Sequence, residues 1–219
     1  MRAPLLDLGI VARLIGRALG HGGTFAEVYV QRRIATSLDI ESGEVKSAQS
    51  SSEYGVGIRV LHGACASYAY SDDTSEGALF ECADVAARVA GTDGEVATLA
   101  RPLALSARAH HPDPSQLISP HALDARAALS LRAHDAAHRA GPALEQVTGV
   151  WADVDDEVLI ATSEGLLVSD RRALVRLGLE VILKDADGTR KVGSAGGGSR
   201  RGVEHFLVQT PESIGTEAV

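Results

Sequence analysis

His134-Asp135-Ala136-Ala137-His138 is the segment whose residue types could do hydrolytic chemistry. Two histidines at i and i+4 on a helix present both imidazoles to one side, and Asp135 stands where a zinc peptidase carries its glutamate general base. Two points oppose a catalytic zinc. Asp is one methylene shorter than Glu and reaches a metal-bound water less well, and no third ligand is evident in the strands that follow. Helical projection supplies another use for the pair. Leu123, Ala127, Leu131, His134 and His138 fall on one stripe, which suits histidines packed at a core edge or interface. Packing is the preferred reading, with His134 and His138 kept as the metal candidates. The chain has no His-Glu dipeptide, so no helical zinc motif with glutamate as the base can be written.

Two glycine-rich runs are the next places where chemistry could sit. Gly55 and Gly57, two apart in a strand, face the same side, and the absence of a Cβ lets another backbone or a ligand approach closely. Tight sheet packing or a bulge is the competing explanation, and it is the favoured one. Ser194-Ala195-Gly196-Gly197-Gly198-Ser199-Arg200-Arg201 has free backbone N–H groups and two arginines but lacks the Gly-Lys-Ser/Thr ending and the following helix of a phosphate loop. It is expected to be a flexible turn or a substrate-facing loop around Gly197. Cys65 and Cys82 are expected to be small packing residues, and Trp151, the only tryptophan, a core residue. With eight histidines some Ser-His-Asp combination always arises by chance, and no spacing supports one.

Charge narrows the partners. Twenty-one basic against 29 acidic residues give a net charge of -8, which opposes attraction to nucleic acid or to an anionic membrane surface. The apolar stretch 5–19 could pass for a signal sequence, but Asp7, Arg13 and Arg17 interrupt it, and no 18-residue apolar run occurs. A cytoplasmic protein is expected.

The elements that must position these residues follow from periodicity. Leu5, Leu8, Ala12, Ile15 and Leu19 predict a helix stopped by Gly20-His21-Gly22-Gly23. Alternation predicts strands over 25–39, 45–50, 55–61 and 64–70, with Ser42-Gly43 and His62-Gly63 as turns. Asp73 and Glu76 form a capping-box pattern before a helix that ends at Gly91 and Gly94. Four of the seven prolines lie in 101–120, an aperiodic connection, and Ser119-Pro120 opens a helix to about residue 140. Strands are then predicted over 144–154, 157–162, 166–182, 189–192 and 204–208. Residues 38–43 and 159–165 occupy equivalent places, each a strand closing on a turn. The expected fold is α+β, with antiparallel or mixed sheets, packed helices and two pseudo-repeated helix-plus-meander units. Its parts are a helix, four-strand meander and helix in 1–100, a connecting loop in 101–120, and a helix plus second antiparallel sheet in 121–219.

Ordered blocks along nearly the whole chain resemble the TldD/PmbA family. Gly55-Val56-Gly57-Ile58-Arg59-Val60, Gly63-Ala64 and Tyr68-Ala69-Tyr70-Ser71-Asp72-Asp73 are similar to its glycine-rich strand, turn and second strand. Val158-Leu159-Ile160-Ala161-Thr162-Ser163-Glu164-Gly165 looks like its later strand and turn. Asp170-Arg171-Arg172 with the strand 174–183 sits closer to the TldD branch than to PmbA, and 193–202 with Glu204 resembles the glycine-rich stretch near the end of the N-terminal domain. The resemblance implies a zinc peptidase whose metal is held by an H-E-x-x-x-H helix and a later cysteine in a C-terminal domain. It implies that this chain is the non-catalytic N-terminal part and binds no cofactor itself. It also implies a peptide substrate, and as partner a PmbA-like subunit or the missing catalytic domain. Gly55, Gly57 and Gly197 are its substrate-facing candidates. Two rivals stand beside this expectation: a stand-alone zinc hydrolase using His134 and His138, and a non-enzymatic binding module.

Overall fold

Helix α1, Leu8–Ala18, forms because Val11, Leu14, Ile15 and Ala18 recur on one side and are all buried, while the Asp7 carboxylate accepts from the N–H groups of Gly9 and Ile10 at 2.9 and 3.0 Å. The computed structural model describes residues 5–90, 104–105, 123–141 and 143–219. Strand β1, Phe25–Glu41, buries Ala26, Val28, Val30, Leu38 and Ile40 on one side with period two. It turns through Ser42 and Gly43, both at positive φ (52° and 78°), into β2, Glu44–His62. A turn with two positive φ values matches the twist of a hairpin.

β2 is one strand, where the sequence pattern predicts two. The polar run between 47 and 53 is exposed on a strand paired along β1, so polarity here marks solvent, not a break. Gly63 at φ 56° turns the chain into β3, Cys65–Ser71, in register from Val56↔Ser71 to His62↔Cys65. Helix α2, Glu76–Ala90, follows. Its cap is Ser75, whose Oγ accepts from the Ala78 N–H, and Asp73 instead accepts from the Ser75 N–H, so the predicted Asp73–Glu76 box is displaced by two residues. The expected helix stop at Gly91 and Gly94 and the opening at Ser119-Pro120 lie outside the described residues. So does most of the predicted connection 101–120, although Ala104–Leu105 forms a short strand, β4, parallel to the chain at Leu166 and Leu167.

Helix α3, Leu123–Ala140, precedes β5, Leu144–Thr162, and β6, Leu166–Lys184. β5 is also continuous where two strands are expected. Its acids at Asp153, Asp155 and Glu157 are buried on one side of the strand instead of ending it. β7, Arg190–Ser199, absorbs the glycine run expected to be a loop, pairing with β6 from Val175↔Ser199 to Lys184↔Arg190. Residues 203–207 form a 3₁₀ turn, not the predicted strand, and lead into α4, Pro211–Glu217, which periodicity missed. The signal for α4 was the Thr210 cap, accepting from the Ser213 N–H, with Pro211 at the first turn.

The fold is α+β. Strand order is β3-β2-β1-β5-β6-β4, with β7 paired to β6. Two compact units share these strands. One comprises Met1–Arg33, Glu53–His111 and Asp156–Arg171, the other Ile34–Ser52, Pro112–Asp155 and Arg172–Val219, so each draws on chain from both sides of 101–120. In the first, α1 and α2 pack together over Val28, Val30, Val56, Ile58 and Leu159. In the second, α3 and α4 pack together, and Trp151, Leu177, Val181, Phe206 and Ile214 form the core. Among the described residues no helix is long and apolar enough to cross a membrane.

Candidate functional site

The β2–β3 register decides the character of one sheet face in the first unit. Val56, Ile58 and Val60 point into the core, so Gly55, Gly57 and Arg59 point the other way. Tyr70 lies opposite Gly57, and Tyr68 opposite Arg59. Each ring leans back across the ladder onto a glycine. A Cβ at Gly55 would stand 2.7 Å from Tyr70 Cε2, and one at Gly57 would stand 2.1 Å from Tyr68 Oη. Packing against cross-strand rings is therefore what glycine provides here, and Gly57 is buried beneath a tyrosine.

These rings line a cavity of about 190 Å³ together with Tyr29, Gln31, Glu53 and Tyr54. The chain has four tyrosines, and all four are at this one cavity. Its volume is below the several hundred Å³ of a typical small-molecule pocket and suits a single side chain. Tyr54 donates its hydroxyl proton to the Leu5 carbonyl, and Gln31 donates through Nε2 to Asp156 at 2.7 Å. Tyr68 and Tyr70 remain 63% and 62% exposed, so the wall they form faces solvent. Burial raises the Tyr54 phenol above its ordinary range, against a smaller lowering by Arg32. Tyr68 is raised by burial and, less, by Cys82, Tyr70 and Glu27. Both rings stay neutral phenols at neutral pH.

His134 and His138 do come together, with ring centroids 4.5 Å apart at 54°. His134 is buried, 3.3 Å from the Asp135 carboxylate at Nδ1, and its Cε1 would lie 3.3 Å from a Cβ on Gly43, so it wedges under the β1–β2 turn. Its Nε2 finds no hydrogen-bond partner among the described residues. His138 is exposed. Among the described residues no three His, Cys, Asp or Glu side chains gather as a metal-holding group. The set does not fit a zinc, which needs about three protein ligands. The stripe expected for α3 is rotated. Arg126, Ser130, Ala133 and Ala137 are buried, whereas Leu123 is 44% exposed. The helix turns because Arg126 is drawn inward to a buried carboxylate.

That carboxylate is Asp153. Arg126 donates to it through Nε at 2.5 Å and Nη2 at 3.1 Å, and the Trp151 indole donates to the same Oδ2 at 2.7 Å. In the first unit Glu157 plays the matching part, receiving Arg32 at 2.7 Å and Arg171 at 3.2 Å. Sequence reasoning missed both networks. The legible signal was the alternation of Trp151, Asp153, Asp155 and Glu157 along a strand, since acids on the buried face require cationic partners. Gly197 lies beneath the Gln209 side chain, where a Cβ would stand 2.2 Å from Oε1. Gln209 is itself held by His205 at 3.1 Å. Cys82 is buried and its thiol raised by burial, while Cys65 is exposed at the start of β3, not packed as expected.

Comparison with known proteins places this geometry in context. Residues 26–90 match the family model described as PmbA/TldA metallopeptidase domain 1, and residues 112–219 match the PmbA/TldA metallopeptidase central domain. Among curated proteins, the chain is 26% identical over 189 residues to a metalloprotease TldD homolog of Buchnera aphidicola subsp. Schizaphis graminum. It is 29% identical over 193 residues to one of Haemophilus influenzae. These alignments cover 86% and 84% of this chain but only 38% of each relative, so the chain spans under two fifths of their length. Among solved structures, a proposed modulator of a DNA gyrase from Thermotoga maritima superposes with TM-score 0.72 at 18% identity, covering 96% of this chain and 46% of that one. TldE from Thermococcus kodakarensis gives 0.70 at 15%, covering 96% and 47%. At such identities the structures establish the shared fold alone.

Proposed function

The chain belongs to the PmbA/TldD metallopeptidase family, and we propose that its 219 residues act as the non-catalytic N-terminal part of a TldD-like zinc metallopeptidase. Their work is to shape the chamber that receives peptide and to support subunit assembly. The observation that carries this reading is the match to domain 1 and the central domain of the family across only 38% of the curated relatives' length. The metal and its water-activating carboxylate then belong to a segment carrying H-E-x-x-x-H in the family's C-terminal catalytic domain, and a PmbA-like subunit is the assembly partner. When bound there, zinc supplies Lewis acidity and a nucleophilic water. What this chain's own residues contribute is binding and orientation.

Among the described residues strand β3 stands at one end of the strand order, an edge that an extended peptide would join by strand addition. The tyrosine-walled cavity, with Gly55 and Gly57 behind the rings, would then receive a side chain. Gly197, roofed by Gln209, becomes substrate-facing only where that side chain moves. The charge of -8 argues against nucleic acid and anionic membranes as partners and suits cytoplasmic work on peptides. The test is reconstitution. The 219-residue chain is mixed with a zinc-loaded segment carrying H-E-x-x-x-H and with a PmbA-like subunit, and cleavage of a quenched fluorescent peptide is followed. Cleavage is expected only with the metal-bearing segment present. Peptidase activity in the lone chain after chelation would sink the proposal.

A further inference from the structure

Charge around the tyrosine cavity is unevenly settled. Two guanidiniums are nearby, and both are engaged: Arg32 with Glu157 at 2.7 Å, and Arg59 with Glu27 at 3.3 Å. Glu53, at the cavity rim and exposed, makes no ion pair or hydrogen bond among the described residues. Among the described residues the rim therefore carries one carboxylate without an ion-pair partner beside aromatic walls. The protein's own cations over rings go elsewhere: Arg13 and Arg17 lie over Phe80 at 5.3 and 5.4 Å, and Arg59 over Phe25 at 5.9 Å. Among the described residues no such cation lies over Tyr54, Tyr68 or Tyr70.

We propose that this cavity is a cation-selective subsite, in which the Tyr68 and Tyr70 rings and Glu53 receive the ammonium or guanidinium head of a lysine or arginine side chain on an extended peptide. The inference rests on the peptide-receiving role proposed above and adds to it which residue type is favoured. A cation over aromatic faces is attracted by the ring quadrupole, and two such rings beside one carboxylate make a site of the kind that binds ammonium groups. Neutral phenols keep that quadrupole without adding charge. The long methylene stem of lysine or arginine can lie along the sheet face while its head enters the site. The cavity's size matches one such head and not a larger ligand. Gly55 and Gly57 enter indirectly, since any larger residue would push Tyr70 or Tyr68 off the sheet and open the wall.

Because all four tyrosines are at the cavity, tyrosine-selective ring labelling makes every NMR signal a reporter of this site. The whole chain is titrated with three capped pentapeptides, alanine throughout except for a central lysine, norleucine or glutamate. The lysine peptide should bind about five- to tenfold more tightly than the norleucine peptide, as expected for a partly desolvated cation over rings. The glutamate peptide should be weakest. Tyr70→Leu should abolish the lysine preference, Tyr70→Phe should retain it, and Glu53→Gln, a change at an exposed residue, should reduce it at least twofold. Equal binding of lysine and norleucine peptides would overturn the cation subsite while leaving a peptide-receiving face. Silence of all four signals with every peptide, or an unchanged preference in both Tyr70→Leu and Glu53→Gln, would overturn it as well. The reconstituted proteolysis assay judges the broader role separately.

Discussion

Removing the Asp153 carboxylate should be among the costliest single changes in the second unit. Asp153 and Arg126 side chains are 2% and 4% exposed, and two guanidinium bonds plus the Trp151 indole bond converge on the same carboxylate. In Asp153→Ala, Arg126 loses both bonds and the indole loses its acceptor. Breaking a buried pair from one side costs about 3–5 kcal/mol, and an orphaned buried donor adds about 1–3. Arg126 keeps further interactions and the two penalties share one atom, so we take about 4 kcal/mol. For a chain of this size that lowers Tm by roughly 8–16 °C. The assay is a urea melt followed by Trp151 emission, because the only tryptophan sits inside the network. Asp153→Asn, which keeps an acceptor, should cost about half as much. Arg126→Met with Asp153→Leu should be more stable than Asp153→Ala alone, since an apolar replacement removes both charges together. A loss below about 1 kcal/mol for Asp153→Ala, or a double variant no better than the single, would refute the account.

Glycine positions offer a paired comparison. Gly215→Ala sets a Cβ 2.0 Å from the Ala133 carbonyl oxygen. That contact is with backbone, and the change should cost about 1–3 kcal/mol by thermal melt despite better helix propensity. Gly57→Ala meets only the tip of the exposed Tyr68 ring and should cost within about 0.5 kcal/mol while shifting that ring's NMR signal. The Arg17 hydrogen bond holds the Asp84 carboxyl below its usual range. Its stabilisation is thus full above the unfolded carboxylate value of about 3.9 and lost as pH falls through the lower folded value. Half-exposed Arg17 limits it to under about 1 kcal/mol, so Asp84→Asn should be slightly weaker than the parent at neutral pH and converge with it in acid. Elemental analysis of the zinc-incubated, gel-filtered chain should find well under one zinc per chain, unchanged in His134→Ala. Stoichiometric zinc lost in that variant would return a metal role to α3.

Local pattern was legible wherever one face of an element meets solvent. The α1 helix, the β1 alternation and the glycine turns at Gly43 and Gly63 appear where periodicity places them, because burial on one side selects side chains with the element's own period; within α1 the buried row is Val11, Leu14, Ile15 and Ala18, and Leu8 of the expected row is exposed. The glycines at 55 and 57 were also visible, as was the i, i+4 proximity of His134 and His138, whereas the tyrosines around those glycines were not singled out. Failure came where polarity was read as a break. The serine-rich half of β2 and the acids of β5 remain strand, the first because its faces are exposed and the second because arginines from other segments neutralise it.

Residue types and spacings alone therefore determined the α+β class, most turns, the family blocks and the absence of a His-Glu zinc motif. Tertiary structure decided which partners those residues meet. Tyr29, Tyr54, Tyr68 and Tyr70 share a cavity only because strand pairing sets β1, β2 and β3 side by side in one register. Arg126 turns inward only because Asp153 waits 27 residues away. Glycine at 193 and 215 is explained by the backbone of α4 and α3 pressing within about 2.1 Å of where a Cβ would be. A period is written within one element, whereas a cavity, a buried ion pair and a close backbone approach depend on contacts between distant segments. Those contacts become energetically visible only when the chain has folded.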